Sequence, residues 1–423
     1  MTSPVWHPFT QHGLGEPIPT ILRGEGAVLT CADGSELIDA ISSWWVITHG
    51  HGYAPIVAAI QRQAAQLNQV IFAGYTHEPA EELARSLIAL TDAHLPSPEP
   101  LARVFFSDSG STSVEVALKM ALGYWHNRGE ARHRILVLEH GYHGDTIGTM
   151  SVGERGVFNR AYAPLLFDVQ SSPFPAVGQE QACLDALEAA CRNGDVAAFI
   201  CEPLICGAGG MRVYAPSVLR EMAAICAAHD VLFIADEVMT GWGRTGTLFA
   251  CEQAGVTPDI LCLAKGLTGG ALPLAVTLAR EKIFAAHWSH DRAQMFFHSS
   301  SFTANPIACA AAAANLAVWR DEDVPGRIAV LGGLLEDGLA RLVGHRALEN
   351  PRRLGTIAAI DLRTSDSGYM AQAAPKLRAH FLDAGLLLRP LGNSIYVMPP
   401  YCTSAAQVEQ MIDAIGSAAD FFG

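Results

Sequence analysis

Six short runs of almost unbroken apolar character constrain this chain more than any other feature. They fall at residues 103–106, 135–138, 198–201, 231–235, 260–263 and 274–278. A strand with one solvated face alternates polar and apolar residues, whereas a strand covered on both faces has no need to. Between the runs, Val114, Ala117, Leu118, Ala121 and Trp125 recur at the spacing of a single helix face. Strand and helix in alternation predict right-handed crossovers and a mainly parallel central sheet covered by helices, an α/β architecture. Residues 50–320 are expected to form this large domain.

Beyond residue 320 the pattern changes. Ile328, Leu331, Leu335, Leu339 and Leu342 mark a helix, apolar runs follow at 355–362, 386–389 and 395–398, and a last helix starts near Ser404. The expectation is a smaller α+β domain made of residues 321–423, joined by residues 1–49. Proline and serine mark loops at 95–100 and 171–175.

Composition narrows the functional classes. Half of the 423 residues are apolar and 17% are charged, enough for a large core. The net charge of −14, with no basic run, disfavours nucleic acid and anionic membranes as partners. The longest nearly apolar stretch, residues 307–319, is too short for the ~20 residues of a membrane span and is interrupted by Asn315. The first nine residues show no basic region leading into an apolar one, so a cytoplasmic chain without a signal peptide is expected. Ten scattered cysteines without a Cys-x-x-Cys pair predict reduced, mostly buried thiols. His49-Gly-His51 and His140-Gly-Tyr-His143 lack companion ligands at zinc-like spacing, so no metal site is expected.

Three motifs carry chemistry. In the first, Asp236 ends an apolar run and Lys265 follows another. Ligand-binding groups of open α/β sheets sit at such strand ends. A carboxylate there can keep a heterocyclic nitrogen protonated, and a desolvated lysine offers a free amine for imine chemistry. That pair is what pyridoxal 5′-phosphate requires of its protein. In the second, Phe105-Phe-Ser-Asp-Ser109-Gly110-Ser111-Thr112 leads from a strand into a helix start, where backbone N–H groups and hydroxyls suit a phosphate. It is neither Gly-x-Gly-x-x-Gly nor a Walker loop, which disfavours dinucleotides and nucleoside triphosphates. In the third, His140-Gly-Tyr142-His143-Gly-Asp145-Thr146 places an aromatic ring at the same sheet edge, able to stack on a flat cofactor.

Together these residues resemble the fold-type I pyridoxal-phosphate enzymes of aminotransferase class III, and the resemblance covers nearly the entire chain. Within the class, the chain is similar to the branch that converts 8-amino-7-oxononanoate to 7,8-diaminononanoate in biotin synthesis. Trp6-His7-Pro8-Phe9-Thr10, Ser42-Ser43-Trp44-Trp45, Gly207 to Arg212, Arg389-Pro390 and Ile395 to Tyr401 carry that narrower similarity.

The resemblance implies that Lys265 holds the cofactor covalently, Asp236 pairs with its ring nitrogen, Gly110 and Ser111 bind its phosphate, and Tyr142 stacks on the ring and lines the substrate site. It implies a homodimer in which His298-Ser299-Ser300-Ser301-Phe302 of one subunit reaches the other's site. There Ser300 and Ser301 face the cofactor phosphate and Ser299 the substrate. Ser299 and Ser300 stand where the family has Gly and Pro, and Ser301 keeps the hydroxyl of a threonine. Arg389 is implied to clamp the keto acid's carboxylate, Trp44 to wall its chain, and Phe9 to stack on the donor. S-adenosyl-L-methionine is the implied donor, with lysine or another ω-amine as the alternative. Several relatives carry tyrosine at the position of Phe9, so a hydroxyl is missing here.

Overall fold

The computed structural model describes residues 3–364 and 373–422. Its centre is a seven-stranded sheet. In spatial order the strands are Leu101–Ser107, Ala275–Arg280, Ile260–Leu263, Leu232–Asp236, Val196–Cys201, Arg134–Leu138 and Gln170–Ser172. All run parallel except Ala275–Arg280, which is antiparallel to both of its neighbours.

The unbroken apolar runs are explained by what covers them. Leu136, Phe199, Phe233, Ala235 and Leu261 enter one hydrophobic layer. Their chain neighbours Ile135, Val137, Ile200, Ile234 and Ile260 enter a second. Successive side chains of a strand point to opposite faces, so both faces are buried. Each such side chain contributes about 2 kcal/mol by leaving water. The helix Gly110–Asn127 covers the second layer with the stripe read from its sequence: Val114, Ala117, Leu118, Ala121 and Trp125 are all buried. Trp125 Nε1 also donates to the Ala197 carbonyl at 2.9 Å, fixing helix to strand.

Several strands escape the apolar-run criterion, and two of them show why. Gln170–Ser172 overlaps the serine- and proline-rich stretch expected to be a loop. As an edge strand it pairs only with Arg134–Leu138, so ladder hydrogen bonds rather than burial hold it. Leu348–Leu354 contains Pro351 and two arginines, yet pairs antiparallel with Ile357–Leu362 across a register shift between Glu349 and Arg352. Ser394–Val397 completes that three-stranded sheet.

Chain ends meet in a third region. Strands Ile21–Glu25, Val28–Cys31 and Glu36–Asp39 form a sheet whose fourth strand is Leu386–Leu387. Ile38, Ile41 and Trp45 share one core with Leu335, Phe381, Ile395 and Met411. The helices Val324–Leu342 and Ala405–Phe422 cover it. No helix among the described residues is long and apolar enough to cross a membrane. Nine of the ten cysteines are buried and all are free, with Cys402 exposed.

Candidate active site

Parallel strands deliver their C-terminal ends to one edge of the central sheet, and every chemistry-bearing motif of the sequence emerges there. Asp236 is the last residue of its strand and is paired in register with Cys262, three residues before Lys265 on the neighbouring strand's exit. Tyr142 and His143 follow the strand ending at Leu138, and Glu202 follows directly on Cys201. Gly110 and Ser111 open a helix just past Ser107. Asp236, Lys265, Tyr142, His143, Glu202, Gly110 and Ser111 line one cavity of about 370 Å³. Through Tyr142 and Gly144 it adjoins a larger cleft of about 770 Å³ that includes Phe158 and Arg212.

The acid end is rigid. Asp236 is buried; its Oδ2 lies 2.7 Å from His143 Nδ1 and its Oδ1 accepts from the Val238 N–H at 3.1 Å. A carboxylate can only accept, so Nδ1 carries the hydrogen. His143 Nε2 is buried with no hydrogen-bond partner among the described residues. Glu202 spans two loops, its Oε1 accepting from the Tyr142 N–H at 3.0 Å and its Oε2 from the Gly207 N–H at 3.1 Å. Burial raises its carboxyl to about 7, against the opposing pull of His143.

The amine end is strained and desolvated. Lys265 starts the short 3-10 turn Lys265–Thr268 with φ of 45°, a conformation uncommon for a residue bearing a Cβ. Burial holds its amine below the ordinary lysine range, although Asp236 and Glu202 pull the other way. Its Nζ sits 4.9 Å from the centroid of the Trp45 ring. Burial likewise pushes the Tyr142 phenol far up, helped by the charge of Asp145, so it stays a proton donor at any working pH.

The helix start is shaped for an anion. Ser109 caps it reciprocally with Thr112, leaving the next N–H groups free to face the cavity. Gly110 admits no side chain, since a Cβ there would lie 2.6 Å from Val238. At Gly144, φ is +130° and a Cβ would come within 2.0 Å of the Ser111 hydroxyl. These observations fit pyridoxal 5′-phosphate. The cavity accommodates a flat ring, with a desolvated amine, a hydrogen-bonded carboxylate and a side-chain-free cradle at a helix N-terminus for the phosphate.

The remaining sequence-derived residues lie elsewhere. Phe9, Trp44 and Arg389 form a rim. The Arg389 Nη2 donates to the Phe9 carbonyl at 2.6 Å, and its guanidinium lies 5.8 Å from the Trp44 ring centroid. The Phe9 ring stands edge-on to Trp44 at 5.5 Å and to Phe158 at 6.0 Å, which connects the rim to the larger cleft. The Ser42–Trp45 segment bends through three left-handed residues, Ser42, Ser43 and Trp45. Asp39 holds it by accepting from the Ser43 N–H at 2.7 Å and the Ser43 hydroxyl at 2.9 Å. Trp45, not Trp44, enters the smaller cavity.

Ser299, Ser300 and Ser301 are absent from both cavity linings. Ser300 donates to Asp108 Oδ2 at 2.5 Å, Ser299 to the Ser300 carbonyl at 3.2 Å, and the Ser301 carbonyl accepts from Gln69 at 2.7 Å.

Sequence reasoning assigned no role in the site to His143, Glu202 or Trp45. The signal for Glu202 was present: it is a carboxylate ending a buried run, as Asp236 is. His143 lay inside a motif read for its tyrosine.

The chain belongs to the class III aminotransferases, a pyridoxal-phosphate family whose sequence model matches residues 11–419. It is 48% identical to the adenosylmethionine-8-amino-7-oxononanoate aminotransferase of Synechococcus elongatus over 98% of both chains. To the protein of that name from Mycobacterium leprae it is 39% identical, over 99% of this chain and 95% of the other. Among solved structures, the same aminotransferase from Methanocaldococcus jannaschii superposes with a TM-score of 0.93 at 33% identity, covering 99% and 97% of the two chains. An amine transaminase from an uncultivated Pseudomonas species, solved with pyridoxal phosphate bound, also gives 0.93, at 32% identity over all of both chains. The fold is therefore shared by enzymes named for different substrates.

Proposed function

We propose that this chain transfers an amino group to 8-amino-7-oxononanoate, forming 7,8-diaminononanoate for biotin synthesis, with S-adenosyl-L-methionine as donor. The observation that carries the reading is the aromatic and cationic rim of Phe9, Trp44 and Arg389 beside a floor built on Lys265 and Asp236. A long, mostly apolar keto acid with a terminal carboxylate matches that pairing, because a guanidinium presents two parallel donors to a carboxylate. The 48% identity to an aminotransferase named for this acceptor supports it.

Pyridoxal 5′-phosphate supplies a carbonyl that captures the amine and a ring that draws electrons from the adjoining carbon. Lys265 would hold the cofactor, and its Nζ would carry the proton taken from the substrate carbon bearing the amine. The desolvation that lowers its pKa favours the neutral amine that such a transfer requires. Asp236 would keep the ring nitrogen protonated, and His143 and the Val238 N–H hold its carboxylate oriented for that task. Tyr142 would hold the ring, and Gly110 and Ser111 would hold the phosphate at the helix start.

The segment bearing Ser299, Ser300 and Ser301 belongs, in this reading, to the partner subunit's site in a homodimer. In its own chain the segment reaches that cavity's lining only through the Ser300 hydrogen bond to Asp108. The division into a domain of residues 50–320 and one of residues 1–49 with 321–423, and a cytoplasmic location, are part of the same proposal.

The test is an acceptor and donor screen on the purified holoenzyme. Turnover of 8-amino-7-oxononanoate with S-adenosyl-L-methionine is expected. Amination of pyruvate by simple amines with no turnover of 8-amino-7-oxononanoate would place the chain with the ω-amine enzymes instead.

A further inference from the structure

Asn315 interrupts the apolar, alanine-rich helix Pro306–Asp321 and is fully buried. Burying an amide without partners is costly, so where its hydrogen bonds go is informative. None of its side-chain bonds goes to its own helix. Nδ2 donates to the Gly266 carbonyl at 3.0 Å and to the Leu267 carbonyl at 3.0 Å. Oδ1 lies 2.8 Å from His49 Nε2. With both amide hydrogens directed to carbonyls, the amide orientation is settled, Oδ1 must accept, and His49 carries its hydrogen on Nε2.

Gly266 and Leu267 belong to the turn that begins at Lys265. A lysine with φ of 45° is strained, and such a conformation persists only where its surroundings over-determine it. The surroundings do so here. A Cβ on Gly266 would meet Trp242 at 2.8 Å and Thr48 at 3.0 Å, and the Gly269 carbonyl accepts from the Thr48 N–H at 3.4 Å. His49, next in the chain, is itself immobilised by Tyr53, Trp319 and Tyr401, whose ring centroids lie 5.2, 6.2 and 6.2 Å away. Burial lowers its pKa to about 4, so the ring is neutral near pH 7.

We propose that Asn315 is a positioning residue for Lys265. It pins the turn that aims the amine into the cavity, and His49 fixes the orientation of the Asn315 amide. The inference rests on Lys265 being the working amine.

Two measurements test it. In the cofactor-free protein, Asn315→Leu should speed amide hydrogen exchange at residues 265–269 about tenfold or more, while the strands of the central sheet keep their protection. In the holoenzyme, the same variant should lower kcat about a hundredfold with the acceptor KM within about twofold, because misaimed groups slow chemistry more than binding. Unchanged exchange at the turn, or a uniform rise across the whole chain, overturns the proposal, as does a wild-type kcat. Should Asn315→Leu not fold, His49→Phe serves. It leaves both Asn315 donors in place and should give a smaller rise in turn exchange and a kcat loss of about threefold to tenfold; no change in either overturns the proposal. Exchange in the cofactor-free protein does not depend on which substrates the holoenzyme accepts, so a failed acceptor assignment is distinguishable from a failed positioning role.

Discussion

The floor and the rim of the site are built on opposite principles. Asp236 is 4% exposed and receives two hydrogen bonds at the end of a strand buried on both faces. At the rim, Phe9 is 42% and Trp44 40% exposed, and Arg389 donates to the Phe9 backbone. Proton transfer needs groups whose pKa values are displaced by desolvation and whose positions do not drift, which the sheet edge supplies. Selecting a substrate needs groups that admit it first and enclose it afterwards, which segments far apart in the chain can do. On the proposed function, chemistry and specificity are thereby separated between the core and the chain ends.

If that separation holds, floor substitutions should reduce kcat and rim substitutions should raise KM. Lys265→Ala removes both the covalent link and the proton carrier. A fall in kcat of at least about ten-thousandfold is expected, measured as steady-state transamination; residual activity within tenfold of wild type would remove Lys265 from the floor. Asp236→Asn keeps the size of the side chain but not the charge. It should slow the donor half-reaction about a hundredfold or more, followed by the change in cofactor absorbance. Arg389→Ala should raise the KM of a carboxylate acceptor about tenfold to a hundredfold through loss of a charged hydrogen bond, with a smaller change in kcat. An equal fall in kcat would erase the distinction between floor and rim.

The last effect concerns stability rather than turnover. The Glu202 carboxyl is raised to about 7 in the folded chain from an ordinary 4.5, so the folded state binds the extra proton between those values. Stability from this group is therefore present at low pH and lost as pH rises through about 7, on the order of 3 kcal/mol in all. Thermal midpoints of Glu202→Gln should show a flatter decline between pH 5 and 8 than wild type. An unchanged slope would mean that another group titrates there. His49 acts in the opposite direction: its lowered pKa makes the folded state poorer in protons than the unfolded state between about 4 and 6.5, so its contribution is lost on acidification.

Much of this was legible before any coordinates. The six apolar runs correspond to strands of the central sheet, and the stripe from Val114 to Trp125 is the buried face of its helix. Asp236 and Lys265 were found from a rule about strand ends, and that rule applied without exception would have found Glu202 too. Polar strands such as Gln170–Ser172 were not legible, because pairing with one neighbour leaves no apolar signature. Nor was Asn315 legible as anything but an interruption, since its partners lie 266 residues away at His49 and 48 and 49 away at Leu267 and Gly266.

Local sequence determined which segments become buried strands, where their ends fall and which residue types arrive there, because burial on both faces and helix periodicity are written in neighbouring positions. Which of two adjacent tryptophans faces the amine, which carboxylates are braced, and how a strained lysine is held in its turn were decided only when distant segments packed. Those outcomes depend on hydrogen bonds and close contacts between residues that share no local pattern.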